Sequence, residues 1–237
     1  MEKENIYHQT IMIKVLNAIF DNQFLKENLA FKGGTAASMI GFLDRISLDL
    51  DFDLFKKSNK GKVEKSLKKI VDDLGFKIKK QSKKELFFVI QYPSVFFRNS
   101  LKISIISDHP KTNDYQYFFL PYVNKMVRCQ TIETMFANKL VAITDRFKRY
   151  KELAARDLYD VNYFFIQGYE FKREIIEERT KMKYKDYLKN LIIFIKEKFN
   201  QRIIDEDLNF LLSGEKFKAV RKTLIPEVVF FLEKCLK

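Results

Sequence analysis

Tryptophan is absent from this 237-residue chain, and cysteine (two), histidine (two), proline (four) and glycine (seven) are scarce. Cys129 and Cys235 lie far apart in sequence, which excludes a disulfide framework and a thiolate zinc site. They read as free, buried thiols of a reducing cytoplasm. His8 and His109 are too few to build a histidine metal centre. Scarce glycine and proline leave little material for long loops, so a mostly helical protein is expected. No apolar run reaches the length of a membrane span, which excludes a membrane partner at this level of reading. The N-terminal stretch MEKENIYHQT carries acidic residues and no apolar core, so an export signal is not expected and the cytoplasm is the expected location.

What is present is apolar and basic. Hydrophobic residues make up 46% of the chain and aromatics 15%, with 24 Phe, enough for a substantial core and against disorder. The length suits one large domain or two small ones. The formal charge of +13 is compatible with nucleic acid, because Lys and Arg displace counterions from phosphates. A lysine-biased proteome would give the same balance.

The pattern changes character once along the chain. Helical spacing over Ile6–Asp21 is followed by a strand at Asn28–Phe31, a short helix at Thr35–Gly41 and a strand at Leu48–Phe55. After a polar loop at Lys56–Lys62 comes a helix at Val63–Leu74, ended by Gly75. Strands are expected at Phe76–Lys80, Leu86–Tyr92, Leu101–Ile106 and Tyr115–Pro121. From Thr131 onward helical periodicity dominates, at Thr131–Tyr150, Ala154–Phe165 and Tyr184–Phe199. A short amphipathic turn at Leu208–Leu212 precedes a last helix at Glu227–Leu236, with Pro226 as its first residue. The expected fold class is α+β, a mixed-sheet domain over residues 1–127 followed by a helical bundle over residues 128–237.

The chemistry is concentrated in Phe31–Leu54, FKGGTAASMIGFLDRISLDLDFDL. A Gly33–Gly34 turn leads into a short helix, a place where backbone N–H groups can meet phosphate. Asp49, Asp51 and Asp53 then alternate with apolar residues, which puts their side chains on one face of a strand. Neighbouring carboxylates repel unless a cation holds them. Oxygen-only ligands suit Mg²⁺, which usually takes one or two carboxylates plus substrate phosphates. Together the two halves point to a site for a metal and a nucleoside triphosphate. Taken singly, a Gly-Gly pair is an ordinary turn and an Asp strand an ordinary solvated face.

The segment resembles the nucleotidyltransferase signature and, more narrowly, the AbiEii/AbiGii toxin family. The matching residues are Lys32, Gly33, Gly34, Thr35, Arg45, Ser47, Asp49 and Asp51. The resemblance implies that Asp49 and Asp51 form the metal pair for Mg²⁺ or Mn²⁺. Gly33, Gly34 and Thr35 cradle the phosphates of an NTP, and Lys32, Arg45 and Ser47 add contacts. For Lys32 and Arg45, plain surface charge is an equal alternative. Asp53 lies beyond the motif, at the strand exit. A third acid is usual on a later strand in the superfamily, and here its position falls on Ser104. Asp108, four residues on, shares that facing if the strand continues and is a further candidate metal ligand. Otherwise the site rests on two carboxylates, or catalysis is weakened.

Two later blocks extend the resemblance. Glu133, Ala137 and Lys139 match a Glu-x-x-x-Ala-x-Lys motif, and Lys139 falls on the apolar stripe of its own helix, where it needs an anion or must snorkel. Arg156-Asp157-Leu158-Tyr159-Asp160 matches Arg-Asp-x-x-Asp. This makes Asp157 a candidate active-site acid or base and Asp160 a residue that orients Arg156 or Lys139. An i,i+4 ion pair between Arg156 and Asp160 is the plainer reading. The resemblance implies Mg²⁺-dependent transfer of a nucleoside monophosphate to tRNA or another RNA by a toxin-like or phage-defence protein, with a cognate antitoxin as partner. The alternatives are nucleotidylation of a protein partner, or a nucleotide- or RNA-binding module with weakened catalysis.

Overall fold

The computed structural model describes residues 2–82 and 85–237. The chain divides into two compact units. One comprises residues 1–41, 47–109 and 115–130, and the other residues 42–46, 110–114 and 131–237.

The first unit is built on a seven-stranded mixed sheet. Helix α1 (Glu2–Asp21) buries Ile11, Met12, Val15, Leu16, Ile19 and Phe20 along one stripe. Helix α2 (Gln23–Asn28) is capped by the Asn22 side chain, which accepts from the backbone N–H of Leu25. Strand β1 (Leu29–Lys32) runs straight into helix α3 (Gly33–Ile40), which Gly41 ends at φ +97. Strand β2 (Leu50–Leu54) follows. A 3-10 turn at Lys57–Asn59 and the first turn of helix α4 (Lys60–Asp73) occupy most of the expected polar loop. Strands β3 (Lys77–Gln81), β4 (Leu86–Gln91), β5 (Ser100–Ile106), β6 (Tyr115–Leu120) and β7 (Lys125–Gln130) complete the unit.

The sheet order is β3-β4-β5-β2-β1-β7-β6. β2 and β5 are parallel, as are β1 and β7, and the remaining neighbours are antiparallel. Alternation divides the central strands by face. Leu29, Phe31, Leu50, Phe52, Leu54, Ile103, Ile105 and Cys129 are buried on one side, and Phe20 of α1 packs edge-on against the rings of Phe31 and Phe52. Lys32, Asp51, Asp53, Ser104 and Gln130 occupy the other. One face is therefore core and the other is free for polar chemistry.

Strand β7 was not expected from the sequence. Its polar Lys125, Arg128 and Gln130 break the apolar signal, and the segment joins the sheet through its pairing with β6 and β1.

The second unit is helical. Helix α5 (Ile132–Tyr150) is capped by Thr131 and packs against α6 (Ala155–Ile166) and α7 (Arg173–Thr180). Helix α8 (Tyr184–Lys198) packs against α7 and α11 (Leu224–Lys234), and α6 against α9 (Gln201–Leu208) and α11. Helix α10 (Gly214–Val220) starts at the Ser213 cap. The charged sequences of α7 and α9 hide their two-residue apolar contacts, Ile175–Ile176 and Ile204–Leu208, from a periodicity reading. The turn expected at Leu208–Leu212 is the end of α9 and the chain after it. Pro226 is the third residue of α11, because the helix begins at Leu224. Among the described residues no helix is long and apolar enough to cross a membrane.

Candidate active site

The turn between β1 and α3 is set by glycine. Gly33 has φ +78, a conformation that side chains rarely adopt, and a Cβ placed there would lie 2.9 Å from Asp51 Oδ2. The first turn of α3 is thus pressed against the Asp51 carboxylate, and the side chain of its N-cap residue, Lys32, makes no capping hydrogen bond. The two halves of the motif, Gly33–Gly34 and Asp51, meet in space.

Asp49 lies one residue before β2 and its backbone is held on both sides. The buried Thr35 hydroxyl meets the Asp49 carbonyl at 2.5 Å and Ser47 Oγ at 2.8 Å. On the preceding residue, the Leu48 carbonyl accepts from His8 Nε2 at 2.8 Å, so that Nδ1 accepts from the Tyr92 hydroxyl at 2.6 Å. Burial lowers the His8 pKa, which keeps the ring neutral in that tautomer. Thr35 and Ser47 therefore fix the strand entry by contacts of their own. His8 is a positioning residue that sequence reasoning missed, since nothing near position 8 signals a contact 40 residues away.

Asp53 is the buried member of the aspartate row. It is 0% exposed and accepts from Lys32 Nζ at 2.6 Å, Gln130 Nε2 at 2.6 Å and the Tyr115 hydroxyl at 2.9 Å. Lys32, expected at a phosphate, is thus bound to Asp53, and the pair ties β1, β2 and β7 together on the polar face. Asp49 and Asp51 are half-buried and retain a solvent-facing side.

Ser104 is the direct neighbour of Asp51 in the parallel β2–β5 register, the place where a third acid would stand. Among the described residues no group of three His, Cys, Asp or Glu side chains is poised for a metal. Asp108 does not continue the facing of Ser104, because β5 ends at Ile106 and the chain bends. Its carboxylate faces Lys57 at 3.0 Å in an exposed pair. The donor set on this face is two carboxylates, a hydroxyl and a glycine turn, which suits a hard cation that also takes water and phosphate oxygens.

The later motif residues gather in the helical unit. Lys139 of α5 meets Asp157 Oδ1 and Asp160 Oδ2 of α6, both at 2.8 Å, so the anion its apolar stripe demanded is a pair of carboxylates. Arg45 forms a bidentate pair with Asp160, Nε to Oδ1 at 2.5 Å and Nη2 to Oδ2 at 2.7 Å, and is itself buried. Arg146 adds Nε to Asp157 Oδ2 at 3.3 Å. Burial alone would raise the Asp157 pKa, but Lys139 and Arg146 outweigh it and hold the carboxyl at about 2. Burial likewise opposes the Lys139 and Arg45 charges, and Asp157 and Asp160 override it, so both pKa values are raised. Arg156, expected to pair with Asp160, instead binds Asp207 at 2.8 Å. Asp44, beside Arg45, accepts from the Tyr159 hydroxyl and from Lys216, both at 2.7 Å. The cluster is a saturated network of fixed charges.

Comparison with known proteins finds the same fold in solved structures. A chain from H. pylori assigned as a nucleotidyltransferase is 21% identical, with TM-score 0.62, over 99% of both chains. JHP933 from Helicobacter pylori is 21% identical, with TM-score 0.54, over 98% of this chain and 94% of that one. An antigenic nucleotidyltransferase-like protein from Paracoccidioides brasiliensis is 14% identical, with TM-score 0.52, over 77% of this chain and 86% of that one. No curated protein matches the chain. The family model of the nucleotidyl transferase AbiEii toxin of type IV toxin–antitoxin systems matches residues 14–227. With the glycine turn seated on Asp51 and nearly the whole length matched, the chain belongs to the AbiEii toxin family and is a nucleotidyltransferase.

Proposed function

We propose that the chain moves a nucleoside monophosphate from an NTP to a hydroxyl of tRNA or another RNA, with Mg²⁺ or Mn²⁺ held by Asp49 and Asp51. The observation that carries the reading is the approach of Gly33 to Asp51 Oδ2, which sets a helix N-terminus beside a half-buried carboxylate. Magnesium would neutralise charge on the triphosphate and on the leaving pyrophosphate. The chain's own groups do the positioning. The first turn of α3 offers N–H groups to the phosphates, while His8 and Thr35 immobilise the backbone that presents Asp49. Within the helical unit Lys139 is a permanent cation and Asp157 its counter-charge, since a carboxyl held near 2 is a weak base. The net charge of +13 favours a polyanionic acceptor. The family description, a toxin of type IV toxin–antitoxin systems, supports a toxin role with a cognate antitoxin as partner, and the reading extends it to phage defence in the cytoplasm.

The test is incubation with Mg²⁺, total tRNA and each labelled NTP in turn, beside Asp49→Ala and Asp51→Ala. Label passes to RNA from one NTP with the parent chain and not with the variants. Transfer retained by both variants removes these residues from the reaction, and label on a protein band identifies a protein acceptor. Ser104 beside Asp51 favours a second reading, a module that binds NTP but does not turn it over. It predicts Mg²⁺-dependent NTP binding with no label transfer to any acceptor.

A further inference from the structure

The carboxylate face of the sheet continues past Asp53 to the sheet edge. Tyr115 of β6 and Gln130 of β7 both donate to Asp53 Oδ2, so their side chains lie on that face. Alternation then brings Tyr117 and Phe119 of β6, and Arg128 and Met126 of β7, onto the same face. The register pairs Tyr117 with Arg128 and Phe119 with Met126. These side chains are not core. Tyr117 is 47%, Phe119 54% and Met126 50% exposed, and Tyr122 just beyond the strand is 63% exposed. The Arg128 guanidinium lies over the rings of Phe55 and Tyr117, at 4.9 and 5.2 Å from their centroids, and donates to the Tyr117 hydroxyl at 2.8 Å.

Large apolar groups clustered on a solvent-facing strand mark a binding surface. The charge says for what. Residues 115–130 include Lys125 and Arg128 and contain no Asp or Glu. Aromatic faces alternating with cations suit single-stranded nucleic acid, whose bases stack on rings while phosphates meet Lys and Arg. The strip is continuous with the face that carries Asp51, so a strand lying on it runs toward the transfer site. From this juxtaposition we propose that Tyr117, Phe119, Met126 and Arg128 form the acceptor platform, which stacks unpaired bases of the RNA to be modified. The proposal rests on the RNA-acceptor reading above and adds the residues that grip the acceptor. β6 is also an edge strand, open to pairing with a protein strand, and the test separates the two.

The experiment titrates the full chain into a fluorescent single-stranded oligoribonucleotide and follows anisotropy. The double variant Tyr117→Leu/Phe119→Leu keeps apolar area but removes the π faces, and Tyr117→Phe/Phe119→Tyr keeps both rings. Mg²⁺-dependent binding of a fluorescent NTP analogue and label transfer to tRNA are measured on the same samples. The leucine variant is expected to bind the oligoribonucleotide about tenfold more weakly for each ring removed, with NTP binding unchanged. The ring-conserving variant binds as the parent does. RNA binding that survives in the leucine variant overturns the platform, and if label still reaches tRNA the RNA-transfer reading stands without it. A parent chain that neither binds nor labels RNA overturns both. Loss of a purified cognate antitoxin's binding in the leucine variant, with RNA binding intact, makes the strip a protein dock and overturns the proposal.

Discussion

Asp51 and Asp160 are aspartates placed under opposite rules. Asp160 is 0% exposed and answered by two cations, Arg45 and Lys139. Asp51 is half-buried, and what presses on it is the backbone of Gly33. A buried carboxylate bound by fixed cations holds structure together but has little capacity left for a ligand. A half-buried carboxylate is hydrated on one side, and a helix N-terminus beside it favours negative charge, so the position suits an anion and a cation that bridges it to phosphate. The contrast separates the half-buried Asp49 and Asp51, the proposed metal pair, from Asp53, Asp157 and Asp160, which are buried and bound by fixed cations.

The strongest way to break this contrast is to remove one charge from each region. Asp51→Asn should lower transfer by about 10³-fold, because the metal contribution it supports is several kcal/mol, and should cost less stability than the loss of a fully buried ion pair. Asp160→Asn should cost about 3–5 kcal/mol in urea denaturation, since Arg45 and Lys139 are then under-compensated in a buried site. Equal stability losses in the two variants would erase the distinction.

A pair of glycines sharpens it. Gly33 and Gly41 both have positive φ, but a Cβ at Gly33 meets Asp51 whereas at Gly41 it meets nothing within 4 Å. Alanine at either should cost about 1–2 kcal/mol of backbone strain. Only Gly33→Ala should also abolish transfer, through a displaced Asp51. Equal activity in the two variants would mean that the close approach is irrelevant.

The helical network has a pH signature. Asp157 is held at about 2 against an ordinary 3.8, so its stabilising contribution is complete above about pH 4 and is lost as pH falls toward 2. The difference in urea midpoint between the parent and Asp157→Asn should therefore shrink across that window. A constant difference would show that the ion pairs do not set the Asp157 carboxyl. The smallest effect is expected at Asp108, whose pair with Lys57 is exposed. Asp108→Ala should change stability by less than about 1 kcal/mol and leave transfer intact. Lost transfer would bring Asp108 back to the metal.

Much of the candidate site was legible because its signals are local. Gly33, Gly34 and the alternating aspartates sit within one short segment, and strand period alone assigns the shared face. The departure at Ser104 was legible only through the family resemblance, which puts an acid there, and the sheet register then set Ser104 beside Asp51. The contacts of His8 with Leu48 and of Arg45 with Asp160 were not, the latter joining residues 115 apart. β7 was hidden because its side chains mix polar and apolar residues, and only pairing with β1 and β6 makes it a strand.

By itself, then, the sequence determined the carboxylate row, the glycine turn that leads to it, the lysine that needed an anion on an apolar stripe, and the change from sheet to helices. These follow from local periodicity and backbone sterics, which any short stretch of chain expresses. Tertiary structure alone decided which aspartate received which partner. Asp53 closed onto Lys32, Gln130 and Tyr115, Asp160 onto Arg45 and Lys139, and Asp51 came to lie beneath Gly33. Burial and long-range pairing set the cost of each charge, and neither is written in the spacing of residues along the chain.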